Sequence, residues 1–241
     1  RWLAKHHQPK MIISGASAYP RQIDFAAFGR IAKLVGAIHL ADISHIAGLV
    51  AAKAHPSPVP FADVVTLTTH KTMRGPRGAV ILCKKPWAGQ IDKAVMPGVQ
   101  GGPLDHIIAA KAQGFFEALQ PSFRKYQQQV IRNARALAKE LQQLGLTLAT
   151  GGTDTHLLLA DVSSFDLTGA TAEARLESIG IIVNKNLIPN DPRSPLDPSG
   201  IRLGTPSITS RGMKETQMKH LAQIIIGTLQ TSSPAILKNY Q

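Results

Sequence analysis

With 241 residues, 44% hydrophobic and 17% charged, the chain can bury one large core or two modest ones, which excludes a disordered segment or a repeat array. Its basic residues exceed its acidic ones by 27 − 15 = 12, but they are scattered, without an arginine-rich arm or interleaved aromatics. Attraction of phosphate and carboxylate ligands therefore explains the charge better than nucleic acid does. The single Cys83 excludes a disulfide framework and a cysteine zinc cluster and fits a reducing, cytoplasmic setting, while no apolar run is long enough to span a bilayer.

In chain order, Met11 to Ser14 predicts a strand, Asp24 to Val35 a helix and Ala37 to Ala41 a second strand. That alternation is the pattern of βαβ units and a parallel sheet. Strands are next expected over Asp63 to Thr69 and Ala79 to Cys83, neighbours joined by the turn Arg74-Gly75-Pro76-Arg77-Gly78. Helical spacing covers Leu104 to Leu119, and a second helix with Pro121 in its first turn ends before Gly145. A domain boundary is expected near residue 119, giving domains over 1–118 and 119–241. The remainder reads as a smaller α/β domain: a strand over His156 to Val162, a helix over Thr168 to Ser178, strands over Ile181 to Asn184 and Ile201 to Gly204, and a last helix over Gly212 to Leu229.

Ligands of parallel α/β sheets sit beyond the carboxyl ends of strands, so the polar residues that end apolar runs are the first suspects. Asp42, Lys71 and Arg202 stand at three such ends. Singly, each has an ordinary reading as a helix cap or a solvated charge. Together, an acid and a lysine at two strand ends suit a pyridoxal-phosphate site, where the acid pairs with the pyridinium nitrogen and the lysine carries the cofactor. A free lysine is a poor nucleophile at neutral pH, and His70, Arg74 and Arg77 are candidates for the cationic surroundings that would activate it. The other histidines, His6, His7, His39, His55, His106, His156 and His220, lack metal-ligand spacing, and no metal is expected.

The segment Thr68-Thr69-His70-Lys71-Thr72-Met73-Arg74-Gly75-Pro76-Arg77-Gly78 closely resembles the cofactor-lysine segment of the serine hydroxymethyltransferases. The same family is echoed in Ser14-Gly15-Ala16-Ser17-Ala18-Tyr19, Ala41-Asp42-Ile43-Ser44-His45-Ile46-Ala47-Gly48-Leu49 and Pro97-Gly98-Val99-Gln100-Gly101-Gly102-Pro103. Further along, Gly151-Gly152-Thr153-Asp154-Thr155-His156, Pro189-Asn190-Asp191-Pro192 and Ser199-Gly200-Ile201-Arg202-Leu203-Gly204 resemble it too, so the likeness runs through essentially the whole chain.

The resemblance implies an α/β fold-type-I pyridoxal-phosphate-dependent transferase, aspartate aminotransferase-like. The chain would supply part of the large domain and the small C-terminal α/β domain. It implies Lys71 as the cofactor lysine, Asp42 at the pyridine nitrogen, and His45 and Ser17 beside the ring's phenolic oxygen. Thr68 and His70 would stand close to the cofactor, and Arg77 would hold the Lys71 loop from behind. Arg202 would grip the substrate carboxylate, which suits its planar fork. Gly101 and Gly102 would offer backbone N–H groups to the cofactor phosphate of a neighbouring subunit, in a homodimer or homotetramer. Asn186, Ser194, Pro195 and Leu196 match a folate-contacting loop.

The implied reaction interconverts serine and glycine, with transfer of the one-carbon unit to tetrahydrofolate. Two departures are visible: Pro20 where many relatives have serine, and Leu196 where an aromatic is common. The start at Arg1 reads as a cut end, ahead of which the family's ring-stacking residue and general acid/base glutamate would lie, and Lys238-Asn239-Tyr240-Gln241 ends slightly short of the usual terminus. An isolated chain of this kind is expected to hold a partial site with little turnover. A folate-independent aldolase of β-hydroxy amino acids and a catalytically silent scaffold or nucleic-acid-binding fragment are the alternative readings.

Overall fold

A computed structural model describes residues 1–231; the terminal Lys238-Asn239-Tyr240-Gln241 lies outside the described residues. Two units emerge from the contacts, one of residues 1–17 with 22–127, the other of residues 18–21 with those from 128 onward. The division falls inside a helix, later than the boundary read near residue 119, because Gln127 still bonds to the first unit while Ala134 and Leu137 enter the second unit's core.

In the first unit α1 (Trp2–His7) leads into β1 (Met11–Ser14), followed by α2 (Phe25–Leu34), β2 (Ile38–Asp42), α3 (Ala47–Ala51), β3 (Val64–Thr68) and β4 (Ala79–Cys83). Two further helices follow, α4 (Ala88–Lys93) and α5 (Asp105–Ala118). Asp24 starts α2 by accepting a hydrogen bond from the amide of Ala27 at 2.8 Å, which satisfies one of the donors a helix leaves open at its start. The sheet order is β1-β2-β3-β4, with β1, β2 and β3 parallel. The fourth strand is the neighbour of β3, joined to it by the turn, and runs antiparallel to it. The cause is length: a parallel return needs a crossover of about a dozen residues or more, usually a helix, whereas residues 69–78 fold back on themselves as a turn.

A long helix, α6 (Pro121–Gln143), begins in the first unit and continues into the second. There β5 (Thr147–Leu148), β6 (Leu157–Asp161), α7 (Gly169–Glu177), β7 (Asn184–Asn186), β8 (Gly200–Gly204), α8 (Pro206–Ser210) and α9 (Glu215–Gln230) follow. The sheet order is β5-β6-β8-β7, antiparallel throughout. Helical spacing places Val130, Ala134, Leu137 and Leu141 of α6 on one buried stripe, and Met218, Ala222, Ile225 and Leu229 of α9 on another. Both enclose Leu158, Ala160 and Ile201 of the sheet, which are fully buried. The run Ile181 to Asn184 is a strand only at its end: Ile181 and Val183 join the core as irregular chain, and pairing begins at Asn184. Among the described residues no helix is long and apolar enough to cross a membrane.

Candidate active site

Because β1, β2 and β3 are parallel, their carboxyl ends share one edge of the sheet, and Gly15, Asp42 and the loop after Thr68 meet there. Asp42 is the last residue of β2 and pairs with Thr66 across the ladder. Its Oδ1 accepts a hydrogen bond from the Ser44 amide at 2.8 Å. Burial works to raise the pKa of this carboxyl, but hydrogen bonds from the Ser44 hydroxyl and amide and from Thr66, with the nearby Lys71 ammonium, outweigh it and hold the group below its ordinary value. Gly15 lies so close to Asp42 that a Cβ there would collide with the Asp42 carbonyl oxygen, so only glycine fits. Ser17 follows it and is exposed. At the end of β3 the Thr68 hydroxyl donates to the Ser44 carbonyl at 3.2 Å, which ties two of the strand-end loops together.

Lys71 stands three residues beyond β3 and is exposed. Its backbone is held on both sides. Thr69 donates from its amide to the Gly78 carbonyl at 2.9 Å and from its hydroxyl to Pro76 at 2.6 Å, and its carbonyl accepts from the Gly75 amide at 2.7 Å. The Lys71 carbonyl accepts from the Arg74 amide at 3.0 Å. On the other side the Thr72 hydroxyl donates to the His45 carbonyl at 2.9 Å and accepts from the Gly48 amide at 3.0 Å. The Thr72 carbonyl accepts from Gln127 Nε2 at 2.7 Å. His70 is half-buried, and its Nδ1 is buried without a hydrogen-bond partner, so a polar atom beside Lys71 is left for a ligand or water.

Arg77 does not hold this loop: its side chain is exposed, and no hydrogen bond or ion pair engages it among the described residues. Arg74 takes that place, with its backbone in the left-handed region at φ 60° and its guanidinium 4.5 Å from the centre of the Tyr126 ring.

In the second unit Arg202 lies in the middle of β8 and not at a strand end, because β8 continues to Gly204. Its Nη2 donates to Asn184 Oδ1 of β7 at 3.0 Å, and burial lowers its pKa. Asn186 ends β7, and Ser194, Pro195 and Leu196 lie in the loop beyond, all three exposed. The loop is organised by Asp191, whose carboxylate accepts from the amides of Ile188, Arg193 and Ser199 and from the Ser199 hydroxyl. Burial opposes its ionisation, but these four hydrogen bonds win and bring its pKa down to about 2. Gly101 and Gly102 are exposed, and among the described residues no atom stands within 4 Å of where a Cβ would project from either.

Thr72, Gly48, Gln127 and Asp191 were not assigned from sequence. A glutamine on the buried stripe of α6 was the available signal for Gln127, since a buried amide requires a partner.

An open α/β sheet that brings a strand-end carboxylate and a strand-end lysine to one edge belongs, with the family match below, to the fold-type-I pyridoxal-phosphate transferases. The family model for serine hydroxymethyltransferase matches residues 1–225, and the chain belongs to that family. It is 57% identical over 223 residues to the serine hydroxymethyltransferase of Myxococcus xanthus (strain DK1622), an alignment covering 92% of this chain and 53% of that protein. The chain thus spans about half the length of the curated relative it matches.

Proposed function

We propose that this chain serves a pyridoxal-phosphate enzyme that interconverts serine and glycine and transfers the one-carbon unit to tetrahydrofolate. The observation that carries the reading is geometric: the parallel pairing of β2 and β3 brings the carboxylate of Asp42 and the loop that bears Lys71 to one edge of the sheet. The fit to the cofactor is supported by the unpartnered Nδ1 of His70 beside Lys71. When bound, pyridoxal phosphate supplies an electron sink for breaking a bond at the amino acid's Cα.

Lys71 would hold the cofactor through Nζ, and the Asp42 carboxylate would keep a proton on the pyridine nitrogen. Ser17, His45, Thr68 and His70 would orient the ring. Arg202 would bind the substrate carboxylate with two parallel N–H donors, and its hydrogen bond to Asn184 fixes one edge of the fork. Asn186, Ser194, Pro195 and Leu196 would contact the folate, on a loop that Asp191 stiffens.

A homodimer or higher oligomer is part of the proposal. It is supported by α5, which carries Ile107, Ile108, Phe115 and Phe116 yet has no buried residue, and by the open space around Gly101 and Gly102. We assign the first unit to the large domain and the second to the small one, with the change inside α6 and not at the boundary between 1–118 and 119–241 read from sequence. The lone Cys83 supports a cytoplasmic address.

The test is conversion of serine to glycine by the full-length gene product, with pyridoxal phosphate and with or without tetrahydrofolate. Conversion that needs both compounds supports the proposal. Cleavage of β-hydroxy amino acids that ignores folate would transfer the assignment to an aldolase, and a protein that takes up the cofactor but converts no serine would end it.

A further inference from the structure

We propose that Gln127 is a positioning residue for Lys71, acting through the peptide of Thr72. The inference rests on the reading of Lys71 as the cofactor lysine. Lys71 itself is exposed, so packing does not hold its side chain, and the direction in which it leaves the loop is set by the backbone on either side. On the carboxyl side that backbone is Thr72, which is 2% exposed and fixed from three elements at once. Its hydroxyl bridges the His45 carbonyl and the Gly48 amide, and its carbonyl receives the Gln127 amide from α6 at 2.7 Å. Among these contacts Gln127 is the one that reaches Thr72 by side chain alone, from an element outside the strand-end loops.

The contact is too tight to be incidental. A Cβ at Gly48 would collide with the Thr72 carbonyl and stand 2.6 Å from Gln127 Nε2, so the loop, α3 and α6 meet without space for one further carbon.

Gln127 is also a poor choice for stability. It is fully buried, on the same helix as Phe123, Val130 and Ala134, and its Oε1 has no hydrogen-bond partner. Burying an unpaired amide oxygen costs free energy that an apolar side chain of equal length would avoid at that atom. What the glutamine supplies in exchange is the donor to Thr72, one peptide away from Lys71. A position that gives up stability to hold a neighbour of a reactive group is a candidate for function.

The test uses the full-length protein, its uptake of pyridoxal phosphate followed by visible absorbance, and borohydride trapping followed by peptide mapping. Gln127→Met keeps the volume and removes the donor. It should retain the cofactor about tenfold less well, with Lys71 labelling falling in step. Thr72→Val, which removes the hydroxyl's bonds to His45 and Gly48 while leaving the Gln127 bond, should also lower labelling by loosening the same peptide, and Thr72→Ser, which keeps the hydroxyl, should label like wild type. Val130→Ala, a buried truncation on the same helix, serves as the control for general loss of stability and should leave Lys71 labelling at the wild-type level. The inference is overturned if Gln127→Met labels like wild type, or if Val130→Ala loses as much labelling at equal loss of thermal stability. If Gln127→Met does not fold, Gln127→Leu, which lacks the same donor, decides, and wild-type labelling of Lys71 in it overturns the inference. A wild-type protein labelled elsewhere than Lys71 removes the underlying reading, a result distinct from either failure.

Discussion

Replacing Asp191 by alanine removes the acceptor for four donors at once: the Ile188 amide at 3.1 Å, the Arg193 amide at 3.0 Å, the Ser199 amide at 2.9 Å and the Ser199 hydroxyl at 2.7 Å. Arg193 is exposed and Ile188 half-buried, so water can replace the carboxylate there. Ser199 is 3% exposed, and its two donors would be left unpaired. At about 1–3 kcal/mol for each buried unsatisfied donor, reduced because the hydroxyl can rotate, the loss is about 2–4 kcal/mol. The wild-type carboxyl titrates at about 2 instead of 3.8. A folded-state pKa below the unfolded one gives stability that is fully present above the unfolded value and lost as pH falls through the folded one. The full shift would be worth about 2.4 kcal/mol, but the carboxylate is partly open to water, and about 1 kcal/mol is the realistic share.

Urea unfolding near neutral pH and again near pH 3 measures both quantities, and hydrogen exchange at the Ser199 amide reports the loop directly. Asp191→Ala should be less stable by the stated amount at neutral pH, and the gap should narrow in acid. A variant within about 0.5 kcal/mol of wild type, or an unchanged gap in acid, would refute the argument.

Gly48→Ala should destabilise the first unit by about 2–4 kcal/mol, because the added carbon meets the Thr72 backbone and strains the hydrogen bond that the residue's amide donates to the Thr72 hydroxyl. Thermal unfolding reads this, and a shift no larger than that of a surface Gly89→Ala control would contradict it, since a Cβ at Gly89 meets nothing. Arg202→Lys keeps the charge and loses the fork, so binding of serine should weaken about tenfold or more while uptake of pyridoxal phosphate stays unchanged. Equilibrium titration of the two ligands separates these effects, and equal weakening of both would argue against a role for Arg202 at the carboxylate.

Wherever periodicity decides, the elements could be read from sequence. The helices α2, α5, α6 and α9 follow apolar spacing of 3.6 residues, and β1, β2 and β3 stand out as short apolar runs between turns. Strand direction is not encoded in such runs, so the antiparallel β4 and the antiparallel second sheet emerged only from the short connection after Thr68 and from pairing in space. The same ambiguity put Arg202 at a strand end when it lies mid-strand. Elements of five or six residues such as α1, α3 and α8 are too short to carry a period.

At the candidate site the wording around Lys71 and Asp42 was legible because those side chains belong to a recognisable segment. The supports were not. Gln127 is 55 residues along the chain from Thr72, and nothing local announces the bond. Arg77 and Arg74 are equivalent on paper, and the choice between them rests on which one reaches the Tyr126 ring.

Everything proposed for this protein turns on Lys71 as the residue that takes up the cofactor. Incubation of the purified protein with pyridoxal phosphate, reduction with borohydride and mapping of the modified peptide tests it most directly. One dominant modified lysine, Lys71, is expected, with labelling diminished in Asp42→Asn. Modification spread over the exposed lysines, or concentrated on another one, would contradict it.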